Sequence, residues 1–404
     1  MTQNPPKLSE RLIKSLSSRS EAHQWEKLMV KLLERLELNQ QERDDAERLY
    51  IQLGNHISNR LELDRSKVHV YPQGSMRTQT TISPRGNQKF DLDIVVELSG
   101  SKYAHPDPEI MFAEFGEALR GNEGVTGDPF AHNRCWRLPY PYKPFYFDVT
   151  PAIPDVYRST GARLKVRDPV TRWSPSNPEE FATWFCDRAA IRFSFQTLVY
   201  DSVIKANRNV DPLPDEKIGL DDILRRTIQL MKLHRDNMYW ALDDDRKKAK
   251  PISVILVTLA THAFEELYRT RNGQFTSPIE VVLAVVEEMP NYIHTAAGKF
   301  SVPNPALTQE NFADKWNTDG GKRANEFLRW HKQLENDLEQ LLYQSSKTPD
   351  QDRIRSVFGN AGVDAWKESQ PLGILGGLLA NAAAGGEPHY LKAPIPTGSG
   401  GTLG

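Results

Sequence analysis

The stretch YPQGSMRTQTTISPRGNQKFDLDIVVEL, residues 71–98, decides how this chain folds. A Gly-Ser pair, Gly74-Ser75, ends the short apolar run KVHVY, and sixteen residues past that serine the chain enters a second run through Asp91-Leu92-Asp93. Ile94, Val95 and Val96 mark this second run as a strand, because β-branched side chains suit a pleated, half-buried surface. Aspartate is depleted there, and positions i and i+2 of a strand share a face. Asp91 and Asp93 therefore project together, while Leu92, Ile94 and Val96 face a core. Two carboxylates so placed repel each other unless cations lie between them. A hard divalent ion with oxygen ligands, shared with substrate phosphates, meets that need. Two such ions about 4 Å apart can activate a hydroxyl and stabilise a departing pyrophosphate.

A two-ion site wants a third carboxylate, and PFYFDVTPAIP supplies Asp148 on another strand. The glycine of Gly74-Ser75 lets the backbone approach a ligand closely. Ser75 adds a hydroxyl and an N–H at the start of the helical stretch SMRTQTT, where phosphate is readily bound. The turn is expected to hold a triphosphate and the acidic strand its metal.

The bulk composition suits a soluble globular protein. The 404 residues are 39% hydrophobic and 26% charged, a globular balance with room for two to three domains. No run of about 20 apolar residues suggests a membrane span, and the opening MTQNPPKLSERLIKS lacks a secretory apolar core. Two cysteines, Cys135 and Cys186, exclude a thiolate-built zinc site and argue against a disulfide framework. A cytoplasmic location is expected. The net charge of −2 and the lack of a long basic block argue against a grip on long nucleic acid. The densest charge cluster, DDDRKKAK at 243–250, reads as a solvated loop between helices.

Residues 8–62 read as helical, from WEKLMVKLLERLEL to ERLYIQLGNHI. KVHVYPQGS, KFDLDIVVEL, CWRLPY and PFYFDVTPAIP read as strands, with a helix in DPEIMFAEFGEALRG ended by Gly121. Residues 158–178 read as a loop. Helices follow in PEEFATWFCDRAAIRFSFQTLVYDSVI, LDDILRRTIQLMKLHRDNMYW, PISVILVTLATHAFEELYR with Pro251 in its first turn, SPIEVVLAVVEEMPNYI with Ser277 as N-cap, and KRANEFLRWHKQLENDLEQLLYQ. The divisions expected are an N-terminal helical segment at 1–64, a catalytic core at 65–210, a helical domain at 211–382 and a disordered tail at 383–404.

Gly74-Ser75, Asp91-x-Asp93 and Asp148 together resemble the active-site pattern of DNA-polymerase-β-like nucleotidyltransferases. More narrowly, YPQGSMRTQTTI followed by FDLDIVVEL resembles the bacterial CD-NTases, relatives of cyclic GMP-AMP synthase and oligoadenylate synthase. The resemblance is strong over about 65–160 and extends more weakly to about 360. It implies an α+β fold: a polymerase-β-like core, a mixed sheet with helices, packed against a helical domain in a bilobal molecule with a central cleft. It further implies that Lys232 and Ser253 contact the donor triphosphate, and that two Mg2+ ions (or Mn2+) sit on Asp91, Asp93 and Asp148, the last helping to deprotonate the attacking hydroxyl. The implied reaction joins nucleoside triphosphates, ATP among them, into a cyclic di- or trinucleotide that signals in anti-phage (CBASS) defence. In some operons of the family a ubiquitin-ligase-like partner conjugates the enzyme's terminal glycine, here Gly404 at the end of GSGGTLG.

Base-stacking candidates are Tyr157, Arg163, Trp173, Phe195 and Tyr200, and RSTGARLKVRDPVTRWSP is a candidate lid over the acceptor. Other readings keep the metal site with a different acceptor, an RNA 3′ end, a protein or an antibiotic, or keep the fold as a catalytically silent nucleotide sensor.

Overall fold

The computed structural model describes residues 19–83, 89–155, 163–196, 222–343 and 351–369. The N-terminal helical stretch is two helices, α1 (Arg19–Glu34) and α2 (Gln40–Arg60), separated by a break. Asn39 and Glu42 close a reciprocal capping box at the start of α2, which satisfies two orphan donors at once.

A seven-stranded mixed sheet follows. β1 (Val68–Pro72) runs antiparallel to β2 (Phe90–Leu98), and β2 runs parallel to β5 (Phe145–Pro154). The other edge of β5 is shared: β4 (Trp136–Pro139) pairs with its first half and β6 (Leu164–Asp168) with its end. The short β3 (Phe130–Ala131) extends β4, and β7 (Arg172–Ser176) extends β6. Between β1 and β2 lies the single-turn helix α3 (Gly74–Thr78), and between β2 and β3 the helix α4 (Pro108–Ala118), capped by Asp107. Leu92, Ile94, Phe145, Phe147 and Val149 are fully buried on one face of the sheet and pack with Leu53 and Ile57 of α2 and Phe115 of α4. Truncating a fully buried phenylalanine such as Phe147 to alanine costs about 3–5 kcal/mol.

The second core is helical. It gathers α5 (Pro178–Ala189), α6 (Ile223–Trp240), α8 (Ser253–Arg271), α9 (Pro278–Glu288), α10 (Lys322–Tyr343) and α11 (Gln351–Ser369), and α1 joins it through Trp25, Leu28 and Leu32. A short helix α7 (Asp244–Ala249) links α6 to α8. The run Val281–Val286 of α9 is buried on every side, so this helix lies inside the core rather than on its surface.

Several expectations are corrected. Residues 164–176 are not a loop but the hairpin β6–β7, an integral part of the sheet. DDDRKKAK is not a loop but holds α7, begun by the Asp243 side chain accepting from the Arg246 N–H. The helix after Pro178 ends at Ala189. Pro251 precedes α8 instead of entering it, since that helix opens at Ser253. Ser277 occupies the N-cap position of α9 but its hydroxyl makes no cap; Glu280 instead reaches back to accept from the Thr276 N–H at 2.8 Å. Two small hairpins at His294–Ser301 and Pro303–Asn311 had no sequence expectation. Among the described residues, no helix is long and apolar enough to cross a membrane.

Candidate active site

The parallel pairing of β2 with β5 places Asp93 directly opposite Asp148 and Asp91 opposite Tyr146. All four side chains therefore stand on the face of the sheet away from the apolar core. One ligand oxygen from each of Asp91, Asp93 and Asp148 lies within 4.8 Å of the others. Three carboxylates at that spacing form an all-oxygen donor set, which suits Mg2+ or Mn2+ and not a soft metal.

The cost of gathering these charges shows in their protonation. Burial, then Asp91 and Asp148, pushes Asp93 up to about 8, with Lys232 and Arg137 offsetting part of the shift. Asp91 opens to the cleft, yet the walls around it strip away bulk water, and it is pushed up to about 6 by burial first and Asp148 second. Divalent cations would reverse both shifts, because an opposite charge at contact favours the ionised form.

Asp148 is buried and carries a partner that the sequence reading did not foresee. Arg137 of β4, opposite Asp148 across the antiparallel ladder, donates from Nε to Oδ1 at 2.8 Å and from Nη2 to Oδ2 at 2.7 Å. Its guanidinium lies 3.8 Å above the centre of the Tyr146 ring. The pairing was latent in CWRLPY–YKPFYFDV: a hairpin in register through the Pro-Tyr turn sets arginine against aspartate.

Gly74 sits at φ +57°, in the left-handed region. A Cβ there would lie 2.5 Å from Asp93 Oδ2. The turn is fastened to the same residue by the Gln73 N–H donating to the Asp93 carbonyl at 2.9 Å. Ser75 lines the cleft, and its hydroxyl accepts from Thr81 at 3.4 Å.

The helical lobe grips the residues just after this turn. Arg225, Gln229 and Lys232 recur along one face of α6 at helical spacing. Arg225 Nε donates to the Thr78 carbonyl at 2.8 Å, Gln229 Nε2 to that of Thr81 at 3.1 Å, and Lys232 Nζ to the Thr80 carbonyl and hydroxyl at 2.9 and 3.0 Å. Burial, then Arg235, brings Lys232 down to about 7, while Asp236 and Asp93 pull the other way. Ser253, first residue of α8, accepts from Arg235 Nη1 at 3.0 Å, which leaves its O–H free to donate into the cleft.

A cleft of about 1120 Å3 opens between the sheet and the helical lobe, and Asp148 lies behind Arg137 rather than in its lining. Gly74, Ser75, Asp91, Asp93, Lys232 and Ser253, all expected from the sequence, line it together. Arg137, Arg235, Trp240 and the α7 lysines Lys247 and Lys248 line it too and were not expected. Of the stacking candidates, Trp173 packs against the sheet core and Phe195 against the helical core. Arg163 lies away from the cleft lining; Tyr157 and Tyr200 fall outside the described residues, as does Gly404. The described part of the lid candidate is the hairpin β6–β7, where Arg167 is tied to Glu109 of α4 at 2.9 and 2.7 Å and Arg134 binds Asp168 at 2.7 Å.

Comparison with known proteins agrees with this geometry. The family model described as the Second Messenger Oligonucleotide or Dinucleotide Synthetase domain matches residues 25–188. A protein of Roseivirga ehrenbergii named c-di-GMP synthase is 28% identical over 299 residues, 73% of each chain. The CD-NTase CdnG of Bradyrhizobium diazoefficiens, solved in complex with GTP, superposes with a TM-score of 0.61 at 24% identity, over 84% of this chain and 97% of that one. DncV of Vibrio cholerae, a cyclic AMP-GMP synthase solved with a linear intermediate, does so with a TM-score of 0.56 at 14% identity, over 83% and 94%.

A polymerase-β-like sheet bearing three converging carboxylates beside a Gly-Ser turn defines a nucleotidyltransferase. Within that class, this chain is similar to the CD-NTases, through the domain match over residues 25–188 and the fold it shares with CdnG and DncV.

Proposed function

We propose that the protein is a Mg2+-dependent synthase that joins nucleoside triphosphates into a cyclic di- or trinucleotide second messenger, acting in anti-phage (CBASS) defence. The observation that carries this reading is the convergence of Asp91, Asp93 and Asp148 within 4.8 Å, next to the Gly74-Ser75 turn. The names of the relatives put guanine nucleotides beside ATP among the candidate substrates. The cleft, at about 1120 Å3, exceeds the roughly 300–1,000 Å3 of a site for one small ligand, as a site for two nucleotides requires.

The chain's own groups divide the work. Asp91, Asp93 and Asp148 would hold the ions, which supply charge neutralisation at the attacking hydroxyl, the α-phosphate and the departing pyrophosphate. Ser75, Lys232 and Ser253 bind and orient the donor triphosphate. The ribose hydroxyl forms a new P–O bond at the α-phosphorus, the bond to pyrophosphate breaks, and the hydroxyl proton passes to a base in the cleft. Positioning and electrostatic stabilisation supply most of the acceleration in such transfers.

The test is incubation of purified protein with the four triphosphates and Mg2+. Pyrophosphate release and a phosphatase-resistant product, identified by mass spectrometry, are expected, since a ring has no terminal phosphate. Asp91→Asn/Asp93→Asn should bring release to background. A linear or protein-bound nucleotide product would assign a different transferase activity, and no turnover under any metal would leave a silent sensor.

A further inference from the structure

We propose that Arg137 is the resident counter-cation of the carboxylate cluster, and that a divalent ion binds by exchange against it. This rests on the metal-site reading above. Asp148 offers two oxygens and both are engaged, Oδ1 by Arg137 Nε at 2.8 Å and Oδ2 by Nη2 at 2.7 Å. The side chain of Asp148 is 11% exposed and that of Arg137 is 31% exposed. Arg137 and Tyr146 line the cleft, so an ion approaching Asp148 from the cleft meets the guanidinium first. Among the described residues, Asp91 and Asp93 form no ion pair, and Arg137 is the one cation hydrogen-bonded to the triad.

A carboxylate has lone pairs to spare, but a divalent ion at contact distance from Asp148 would stand within a few ångströms of a permanent positive charge. Arginine does not deprotonate to relieve this. The guanidinium must therefore withdraw when the ion arrives. The structure gives it a path. Its backbone is fixed by the β4–β5 ladder, but the side chain rests on the Tyr146 ring, 3.8 Å from the centroid, and cation–π contact tolerates sliding across the face. Displaced toward the cleft, the fork meets whatever anion lies there, and a substrate phosphate offers the matching bidentate geometry. Arg137 thus acts as a positioning residue: it holds Asp148 in place without metal, and it restrains metal loading until a phosphate draws it away.

The experiment is Mn2+ titration of the nucleotide-free protein at pH 8, read by electron paramagnetic resonance of the free ion. Arg137→Met, which keeps most of the chain's reach and deletes the charge, should tighten Mn2+ binding by about fivefold or more while lowering kcat. A residue that merely supported the fold would weaken both when removed. Arg137→Lys, which retains the charge without the fork, should fall between the two and serves as the readout should the methionine variant not fold. Mn2+ affinity unchanged or weakened in the variant that folds overturns the exchange. Asp91→Asn/Asp93→Asn is the control: wild-type binding no greater than this double variant's overturns the metal site itself, an outcome separate from failure of the exchange.

Discussion

Gly74 and Asp93 stand so close that a single methyl group would not fit between them: a Cβ on Gly74 would lie 2.5 Å from Asp93 Oδ2. The φ of +57° at Gly74 adds a second demand that only glycine meets without strain. The turn and the acidic strand are thus one object, clasped by the Gln73 N–H on the Asp93 carbonyl. Gly74→Ala should lower turnover by more than about a hundredfold, the scale of loss when a reacting group shifts by about 1 Å. Stability should fall by only about 1–3 kcal/mol, the range for a side chain forced into the left-handed region. Steady-state kinetics beside a denaturant titration checks the contrast; parallel losses would make the glycine merely structural.

Replacing Asp93 should stabilise the metal-free protein. Its folded value of about 8 lies above the ordinary carboxylate range, so the folded chain holds a proton that the unfolded chain has released. Stability therefore falls as pH rises from about 4 through 8. The lowered value of Lys232, about 7, acts in the opposite sense between about 7 and 10.4, where the unfolded chain holds the extra proton. Comparing Asp93→Asn with wild type isolates the first effect. In chelator, the variant should gain on the order of 2 kcal/mol at pH 8.5 and nothing at pH 4; excess Mg2+ should reverse the order. Urea titrations at the two pH values decide it.

The shared face of Asp91 and Asp93 was legible because strand periodicity is strict: a period of two fixes which residues of FDLDIVVEL lie together without any tertiary knowledge, whereas the clasp of Gly74 on Asp93 was not. Asp148 was legible only as a partner in search of a place, and the parallel register supplied it. What the sequence hid were relations between distant segments. Thr80 looks like an ordinary loop residue until Lys232, 152 positions away, is found bonded to both of its oxygens. DDDRKKAK has the composition of a solvated loop, and its role follows from the turn that aims Lys247 and Lys248 into the cleft. RLKVRDPVTRWSP carries strand residues, but its arginines and prolines dominate the local pattern, and only pairing with β5 shows it to be sheet.

Metal affinity should rise with pH. Asp91 and Asp93 must be ionised to ligate, and their metal-free values of about 6 and about 8 put that ionisation inside the physiological range. Binding should release protons at pH 6–7, and affinity should strengthen from pH 6 to 8 and level off above that, since metal and proton compete for the same oxygens. Calorimetric Mn2+ titrations in two buffers of different ionisation enthalpy measure the protons released. A flat affinity across this range contradicts the raised values.

Lys232 and Thr80 should prove energetically coupled. The ammonium is buried and its two hydrogen bonds to Thr80 aim it at the cleft. Lys232→Met should raise KM for the donor nucleotide by about tenfold or more, the loss of one charge-assisted contact. Thr80→Val removes one of the two acceptors and should give a smaller effect in the same direction. In the double variant the two losses should fall short of their sum by about 0.5–2 kcal/mol, the usual range for residues in contact. Full additivity in kcat/KM would show that Thr80 does not position the lysine.

The α7 lysines should act on binding through their field rather than through fixed contacts. Lys247 and Lys248 line the cleft from a helix that Arg246 tethers to Glu326 at 3.1 Å, so their approach to the cleft is set by packing rather than by chance exposure. Both keep contact with solvent, and each on its own is worth about 0.2–1 kcal/mol. Lys247→Glu/Lys248→Glu reverses both charges and should raise KM by about tenfold at low ionic strength. The deficit should shrink as salt screens it, since the Debye length falls to about 8 Å at 0.15 M. kcat should stay within about twofold, because neither lysine reaches the triad. KM measured between 20 and 300 mM salt tests this: a deficit that does not shrink with salt would mean a direct, desolvated contact with the triphosphate, and a fall in kcat would place these lysines in the chemical step.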